Sequence, residues 1–250
     1  MAKMSLLEIV QDIMNDLDGD AVNSINDTVE SLQVANIVKS TFNNIIDGKD
    51  WPHLYELFQF EALSNTAKPN YLKIPSTIIS IDWIKYNTRK VTDTKDQFTT
   101  IKYKTPEEFM ALVDVRDSSA STIQVVVDTS SVSLNILNNK APEYFTSFDD
   151  EYIILDSFDN AIDATVQQSK SSGRGRRNVT FTLSDTYTPD LPVQMFSYLL
   201  NEAKATAFVI LKQSTNSKAE QHSMSQRRRM SQDAWKIKKG ISYPDYGRKK

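Results

Sequence analysis

Residues 45–62 read IIDGKDWPHLYELFQFEA, and within this stretch the chain changes from a helical to a strand pattern. Apolar residues before Gly48 recur at three- and four-residue intervals, as on one face of a helix: Val34, Ala35, Val38, Phe42 and Ile45. After Pro52, apolar Phe58, Phe60 and Ala62 alternate with polar residues, which is the period of a strand. The sequence therefore predicts helices followed by a β region.

Helices are predicted on both sides of that region. Ser5 and Glu8 form a capping-box pattern at the start of an N-terminal helix, and a second helix is predicted over about 27–46. Helix returns after Asp190 with one apolar face, formed by Phe196, Leu199, Leu200, Ala203, Ala207 and Ile210. A last helix follows Asn216, where Ser217 and Glu220 form another capping-box pattern.

The β region is predicted to contain six or more strands and one short helix. After the stretch at 58–62, runs rich in β-branched and aromatic residues indicate strands at 71–75, 79–83, 123–127, 132–137, 151–155 and 179–183. The helix begins at Thr105, with Pro106 in its first position. The polar, glycine-containing segment 167–177 is predicted to be a mobile loop.

This order of elements predicts the α+β class, with a helical bundle built from both termini, an inserted β domain and an extended C-terminal arm. The predicted divisions are 1–50 with 186–215 for the bundle, 51–185 for the β domain, and 216–250 for the basic C-terminal helix and arm.

The charges are divided between the body of the chain and its C-terminal segment. Residues 216–250 carry ten basic and three acidic residues, a formal charge of +7. The preceding residues carry 19 basic and 29 acidic residues, a formal charge of −10. Such asymmetry indicates a partner for the basic segment, either an acidic protein or nucleic acid.

The last predicted helix has few apolar positions, namely Met230, Ala234, Ile237 and Ile241. A helix that cannot bury a full apolar stripe within its own chain is expected to pack that stripe on a neighbouring molecule. Aromatic and basic residues typical of interface anchors are interleaved here: Arg227, Arg228, Arg229, Trp235, Lys236, Lys238, Lys239, Tyr243 and Tyr246. The alternative is a solvated basic face with a frayed end.

A second basic group lies in the predicted loop and consists of Lys170, Arg174, Arg176 and Arg177. Together with the C-terminal segment it could bind nucleic acid through phosphate neutralisation and base stacking. The acidic body and a sequence pI of about 5.5 argue against a dedicated DNA-binding protein. A solvated loop is the preferred interpretation of these four residues.

No enzymatic, metal or cofactor site is predicted. The chain has no cysteine, and its two histidines, His53 and His222, belong to no ligand or catalytic motif. A group of carboxylates is more typical of solvent-facing turns than of a metal site: Asp149, Asp150, Glu151, Asp156, Asp159 and Asp163. Neither a membrane-spanning stretch nor a secretory segment is predicted.

The order of motifs resembles the head-to-tail adaptor family of short-tailed bacteriophages, also called tail tubular protein A or head-tail connector. The likeness spans most of the chain, and its strongest part is APEYFTSFDDE at 141–151. The other parts are SLLEIVQDI at 5–13, WPHL at 51–54, YLKIP at 71–75, TPEEF at 105–109, QQSK at 167–170 and the helix start at 190–192.

The resemblance implies a structural virion protein without enzymatic activity. It implies a ring, expected to contain twelve subunits, between the portal protein and the tail nozzle protein, with genomic DNA passing through the lumen. The C-terminal arm would bind the portal, and the ring would be assembled in the host cytoplasm and reside at the head-tail junction of the virion. The alternative is a DNA-binding structural protein that uses the basic loop and the C-terminal segment.

Overall fold

A computed structural model describes residues 3–90 and 92–233, the latter with side chains to 230. The protein is of the mixed α+β class, with five helices and ten strands in these residues. Of these residues, 3–54 and 179–233 form a helical unit, and 55–90 with 92–178 form a β unit. The chain thus crosses between units at 54/55 and 178/179, whereas the predicted β domain spanned 51–185.

The helical unit contains α1 (Leu6–Asp16), α2 (Val29–Asp47), α4 (Val193–Lys212) and α5 (Ser217–Asp233). Its core is formed by apolar faces of the first three of these helices together with residues outside them, among which are Leu17, Trp51, Leu54 and Leu191. The expected capping box is confirmed at α1, where Ser5 N–H donates to the Glu8 carboxylate at 2.7 Å. α4 keeps its predicted apolar face except at Ile210, which is 58% exposed.

The segment before α4 belongs to the helical unit and not to a sheet. The predicted strand at 179–183 is wrong, because these residues form no ladder and Phe181 packs on Phe42 instead, with ring centroids 5.1 Å apart. Asp185 ties the same segment to the first turn of α1 and to the loop between α1 and α2: its carbonyl accepts from Leu7 N–H, and its carboxylate accepts from Ile25 N–H at 2.8 Å.

The β unit contains ten strands and α3 (Pro106–Asp114). In chain order the strands are β1 (Tyr55–Phe58), β2 (Glu61–Ala62), β3 (Tyr71–Lys73), β4 (Ile78–Asn87), β5 (Phe98–Tyr103), β6 (Ile123–Val127), β7 (Ser133–Leu137), β8 (Tyr144–Thr146), β9 (Tyr152–Leu155) and β10 (Ser171–Arg177). Eight of them form a sheet in the order β1-β10-β4-β5-β8-β9-β3-β2, and β6 pairs with β7 alone. Because β1 and β2 form the two edges and are separated by only two residues, the sheet curls back on itself.

The predicted mobile loop at 167–177 is wrong: most of it is the strand β10, paired on both sides with β1 and β4. Its buried positions are Ser171, Gly173 and Gly175, so the alternation is present without an apolar residue to reveal it. A Cβ at Gly173 would lie 2.8 Å from the Phe58 ring and 3.1 Å from the buried Phe60 ring, so a larger residue fits only if these rings shift.

The predicted run at 58–62 is interrupted at 59–60 and forms the end of β1 and all of β2, and the predicted run at 79–83 lies within the longer β4. The strands β5 and β8 were not anticipated at all. β5 buries only Ile101 and has exposed or polar residues at its other positions, so it shows little amphipathic alternation. β8 has three residues and runs parallel to β5, a pairing that no local signal indicates. The predicted runs at 71–75, 123–127, 132–137 and 151–155 are confirmed within one or two residues, apart from an overlong end at 74–75.

Candidate docking surface

Asn216 is the N-cap of the basic helix α5. The Asn216 side-chain oxygen accepts from Ala219 N–H at 3.1 Å, and its carbonyl accepts from Glu220 N–H. Ser217 is therefore the first helical residue, and the predicted capping box of Ser217 with Glu220 is wrong.

α5 packs on α4 through small and polar side chains. Ser223 Oγ donates to the Glu202 carboxylate, and Asn201 Nδ2 donates to Gln226 Oε1 at 3.1 Å. Ala219 is buried on the same face, and Met230 is partly buried against the helical core. One face of α5 meets α4, and its residues follow helical spacing: 219, 223, 226 and 230. This face offers little apolar area, so hydrogen bonds contribute much of the stabilisation between the two helices.

Arg227, Arg228 and Arg229 project from α5 into solvent. Burial first, and then the Glu202 carboxylate, raise the pKa of Tyr198 on α4, while the charge of Arg227 acts in the opposite direction. The remaining residues predicted for the arm, Trp235, Lys236, Lys238, Lys239, Tyr243 and Tyr246, lie outside the described residues. The described part of the arm is thus a docked helix with a basic outer face.

The second basic group is held within the β unit. Lys170 pairs with Asp163, and Arg174 pairs with Asp82. The Arg174 guanidinium also lies 4.5 Å from the centroid of the Tyr55 ring, a cation–π contact. Arg176 and Arg177 are half-buried. Because Lys170 and Arg174 have carboxylate partners, this group offers less positive charge to a phosphate backbone than its sequence indicates.

The carboxylates at 149–163 serve turns and ion pairs. Asp149 accepts from Glu151 N–H and Tyr152 N–H at 3.0 and 2.9 Å, as expected for a turn. Asp156 differs, because it is buried and pairs with Arg116 at 3.2 Å. Arg116 lies 40 positions away in the sequence and belongs to no motif, so local sequence gives no sign of this pair. Within the described residues, no three His, Cys, Asp or Glu side chains are grouped as metal ligands would be.

No described helix combines the length and the apolar character that a membrane span requires. The cavity between Tyr86, Phe158 and Lys170 has room for about one water molecule and not for a metabolite. Burial raises the pKa of Tyr86 beside this cavity to about 12, and its hydroxyl accepts from Gln167 N–H at 3.1 Å.

No protein-family model matches this sequence, and no curated protein matches it significantly.

Proposed function

We propose that this protein is a structural virion subunit, a head-to-tail adaptor of a short-tailed bacteriophage. Twelve copies would form a ring between the portal and the tail nozzle, with a lumen through which genomic DNA passes. The observation that carries the proposal is the basic helix α5, which exposes Arg227, Arg228 and Arg229 while a small and polar seam holds its other face. The choice of family in this proposal comes from the order of motifs in the sequence.

The division of charge supports this role. A channel for DNA should bind it weakly, because each cation paired with a phosphate adds counterion-release affinity that must be overcome during passage. Residues 1–215 carry a formal charge of −10, which disfavours such pairing. The C-terminal segment has a charge of +7, which would steer it towards an acidic patch on the portal. The helical bundle would make the ring contacts, and the β domain would face the tail.

The proposal is tested by removing residues 216–250 and measuring portal binding. The truncated chain keeps α1, α2, α4 and the β unit, so we expect it to fold, with a circular dichroism spectrum of reduced helix content. The full chain should form a twelvefold complex when mixed with portal, observed by native mass spectrometry, and the truncated chain should form none. Unchanged portal binding by the truncated chain would contradict the arm assignment.

A charge-reversal variant tests whether the arginine charges bind the portal, without removing the whole C-terminal segment. Replacing Arg227, Arg228 and Arg229 with Glu should weaken portal binding about a hundredfold or more, because three attractive charges become repulsive. A control for charge reversal elsewhere is the Lys140→Glu substitution in the β unit, where the exposed lysine pairs with Glu143 at 2.8 Å. Equal losses in both variants would refute the arm as the specific contact.

The alternative function is a DNA-binding structural protein that would use Arg174, Arg176 and Arg177 of β10 together with the exposed run at 227–229 of α5. It predicts that duplex DNA is retained at physiological salt, that the affinity falls steeply with salt, and that replacing Arg174, Arg176 and Arg177 weakens it further. The adaptor proposal predicts weak retention that disappears by about 0.15 M salt and is insensitive to those three residues.

A further inference from the structure

Among the described residues, the hairpin of β6 and β7 leaves one edge of β6 without a neighbouring strand. Its hydrogen-bonding pattern is fixed at both ends: Asp128 N–H donates to the Val132 carbonyl, and Asn138 N–H donates to the Thr122 carbonyl, both at 2.9 Å. Since bonded pairs alternate along an antiparallel ladder, the even-numbered residues of β6 bond to β7. The main-chain groups of Ile123, Val125 and Val127 therefore point away from β7.

The side chains of this strand also alternate between two environments. Val126 is fully buried in the β unit together with Leu134 of β7. Val125 and Val127 lie on the opposite face and remain 45% and 51% exposed. The free edge thus combines outward N–H and C=O groups with half-exposed β-branched side chains, which favour strand pairing.

The two edges of the eight-stranded sheet are protected in a way that the outer edge of β6 is not. β1 carries the exposed carboxylate Glu56, and β2 carries Glu61. Charges on an edge strand oppose pairing with another chain. β6 reads IQVVV and has no charge, proline or glycine. An uncharged, exposed edge of this kind is expected to be covered by another strand.

We propose that in the free protein β6 pairs with β6 of a second copy, antiparallel about a two-fold axis at Val125. This register gives two hydrogen bonds between the Val125 residues of the two copies and one from each Val127 N–H to the partner's Ile123 carbonyl. The Ile123 N–H takes no part, because it donates to the Ala120 carbonyl at 3.0 Å. Two hairpins thereby become one four-stranded sheet.

A second copy fits this edge because the strand is nearly symmetric about Val125. Ile123 comes opposite Val127, and Gln124 comes opposite Val126, so apolar side chains meet apolar ones on the exposed face. The first charge beyond the strand, Asp128, comes opposite Thr122 of the other copy. Asp128 is also held within its own chain by the Tyr71 hydroxyl at 2.8 Å. No like charges oppose each other.

This contact goes beyond the proposed adaptor function. A two-fold contact closes at two copies, whereas the contacts of a ring repeat head to tail around it. The β6 pairing therefore belongs to the protein before ring assembly and protects its exposed edge from aggregation. It makes a prediction about the free protein that does not depend on a portal.

The test measures the mass of the free full-length protein by analytical ultracentrifugation over a range of concentrations. Wild type should show a reversible monomer–dimer equilibrium. The Val125→Lys and Val125→Glu variants place like charges opposite each other at the axis and should each raise the dissociation constant about tenfold or more. An equimolar mixture of the two should recover dimer as a heterodimer, because opposite charges then meet.

The matched control is Val132→Lys, which adds the same charge at a 46% exposed valine outside the paired strand and should leave the dimer intact. Because Val125 is also half-exposed, all variants should keep the thermal unfolding midpoint within a few degrees of wild type. A wild-type protein that stays monomeric, a Val125→Lys variant that stays dimeric, or a mixture that fails to associate would each overturn the proposal. None of these results bears on portal binding.

Discussion

Asp156 and Lys204 illustrate two ways in which single residues hold this protein together. Asp156 accepts from the Arg116 guanidinium and from the N–H groups of Glu143 and Tyr144, so its buried charge is satisfied from several directions. Lys204 on α4 donates to Asp12 and Asp16 of α1, at 2.9 and 2.6 Å. The first network joins the segment that follows α3 to the strands of the β unit, and the second joins two helices.

Because of the Lys204 contact, we expect the free energy of unfolding to fall at high pH. Burial by itself lowers the pKa of Lys204, but its hydrogen bonds to Asp16 and Asp12 outweigh this and raise the pKa above its usual value. A raised lysine pKa stabilises the fold below the unfolded value of about 10.4, and this contribution is lost as the pH rises through the folded pKa.

The Lys204→Met variant should therefore lower the free energy of unfolding by about 1–2 kcal/mol at pH 7. Its difference from wild type should shrink when urea unfolding is repeated above about pH 11. The control is Lys212→Met, which removes an exposed lysine at the end of the same helix. A difference that is the same at both pH values would refute the electrostatic origin.

At the scale of elements, β10 shows how a strand is specified without apolar residues. Its glycines let the backbone approach Phe58 of β1 and Ser80 of β4 closely, while the intervening arginines lie on the other face. The register of β10 against β4 shifts twice, between Arg174 and Gly175 and between Arg176 and Arg177. Such shifts bend and twist a strand, as a curled sheet requires.

The Gly175→Ala variant tests this packing. The added Cβ would meet the Ser80 carbonyl oxygen and lie 2.9 Å from Ile78 Cγ2, and a backbone oxygen moves only at a cost. We expect a loss of about 2–3 kcal/mol in the free energy of unfolding, measured in urea. The control is Gly19→Ala, whose Cβ would meet chiefly the flexible end of the Met14 side chain. Similar losses in both variants would contradict the interpretation.

At the scale of the whole molecule, the net charge of −3 conceals an acidic body and a basic C-terminal segment. The described root of that segment, α5, is attached to α4 through a polar seam, so its arginines are available to a partner. Opposite charges on two partners act over about 10 Å at moderate salt and chiefly set the rate at which they meet.

We therefore expect the rate constant for association with portal to fall about tenfold or more as the salt concentration rises from about 50 mM to about 0.5 M. Surface-based kinetic measurements with immobilised portal would show this dependence, and the dissociation rate should change much less. An association rate that does not depend on salt would contradict steering by the C-terminal charges.

The sequence by itself determined features that depend on residues a few positions apart. The capping box of Ser5 with Glu8, the apolar stripe of α2 and the β-branched run of β6 are of this kind, and together they determine the α+β class. Charge segregation is also a property of sequence alone, because it requires only counting.

Only the tertiary structure decided features that depend on distant neighbours. β10 is a strand because β1 and β4 supply hydrogen-bonding partners on both of its sides, and Phe181 packs on a helix because Phe42 lies beside it. Arg116 meets Asp156 across 40 positions of sequence. The local pattern of apolar and polar residues does not indicate which distant residues will meet. Those contacts stabilise the protein only when folding has brought the residues together and buried them.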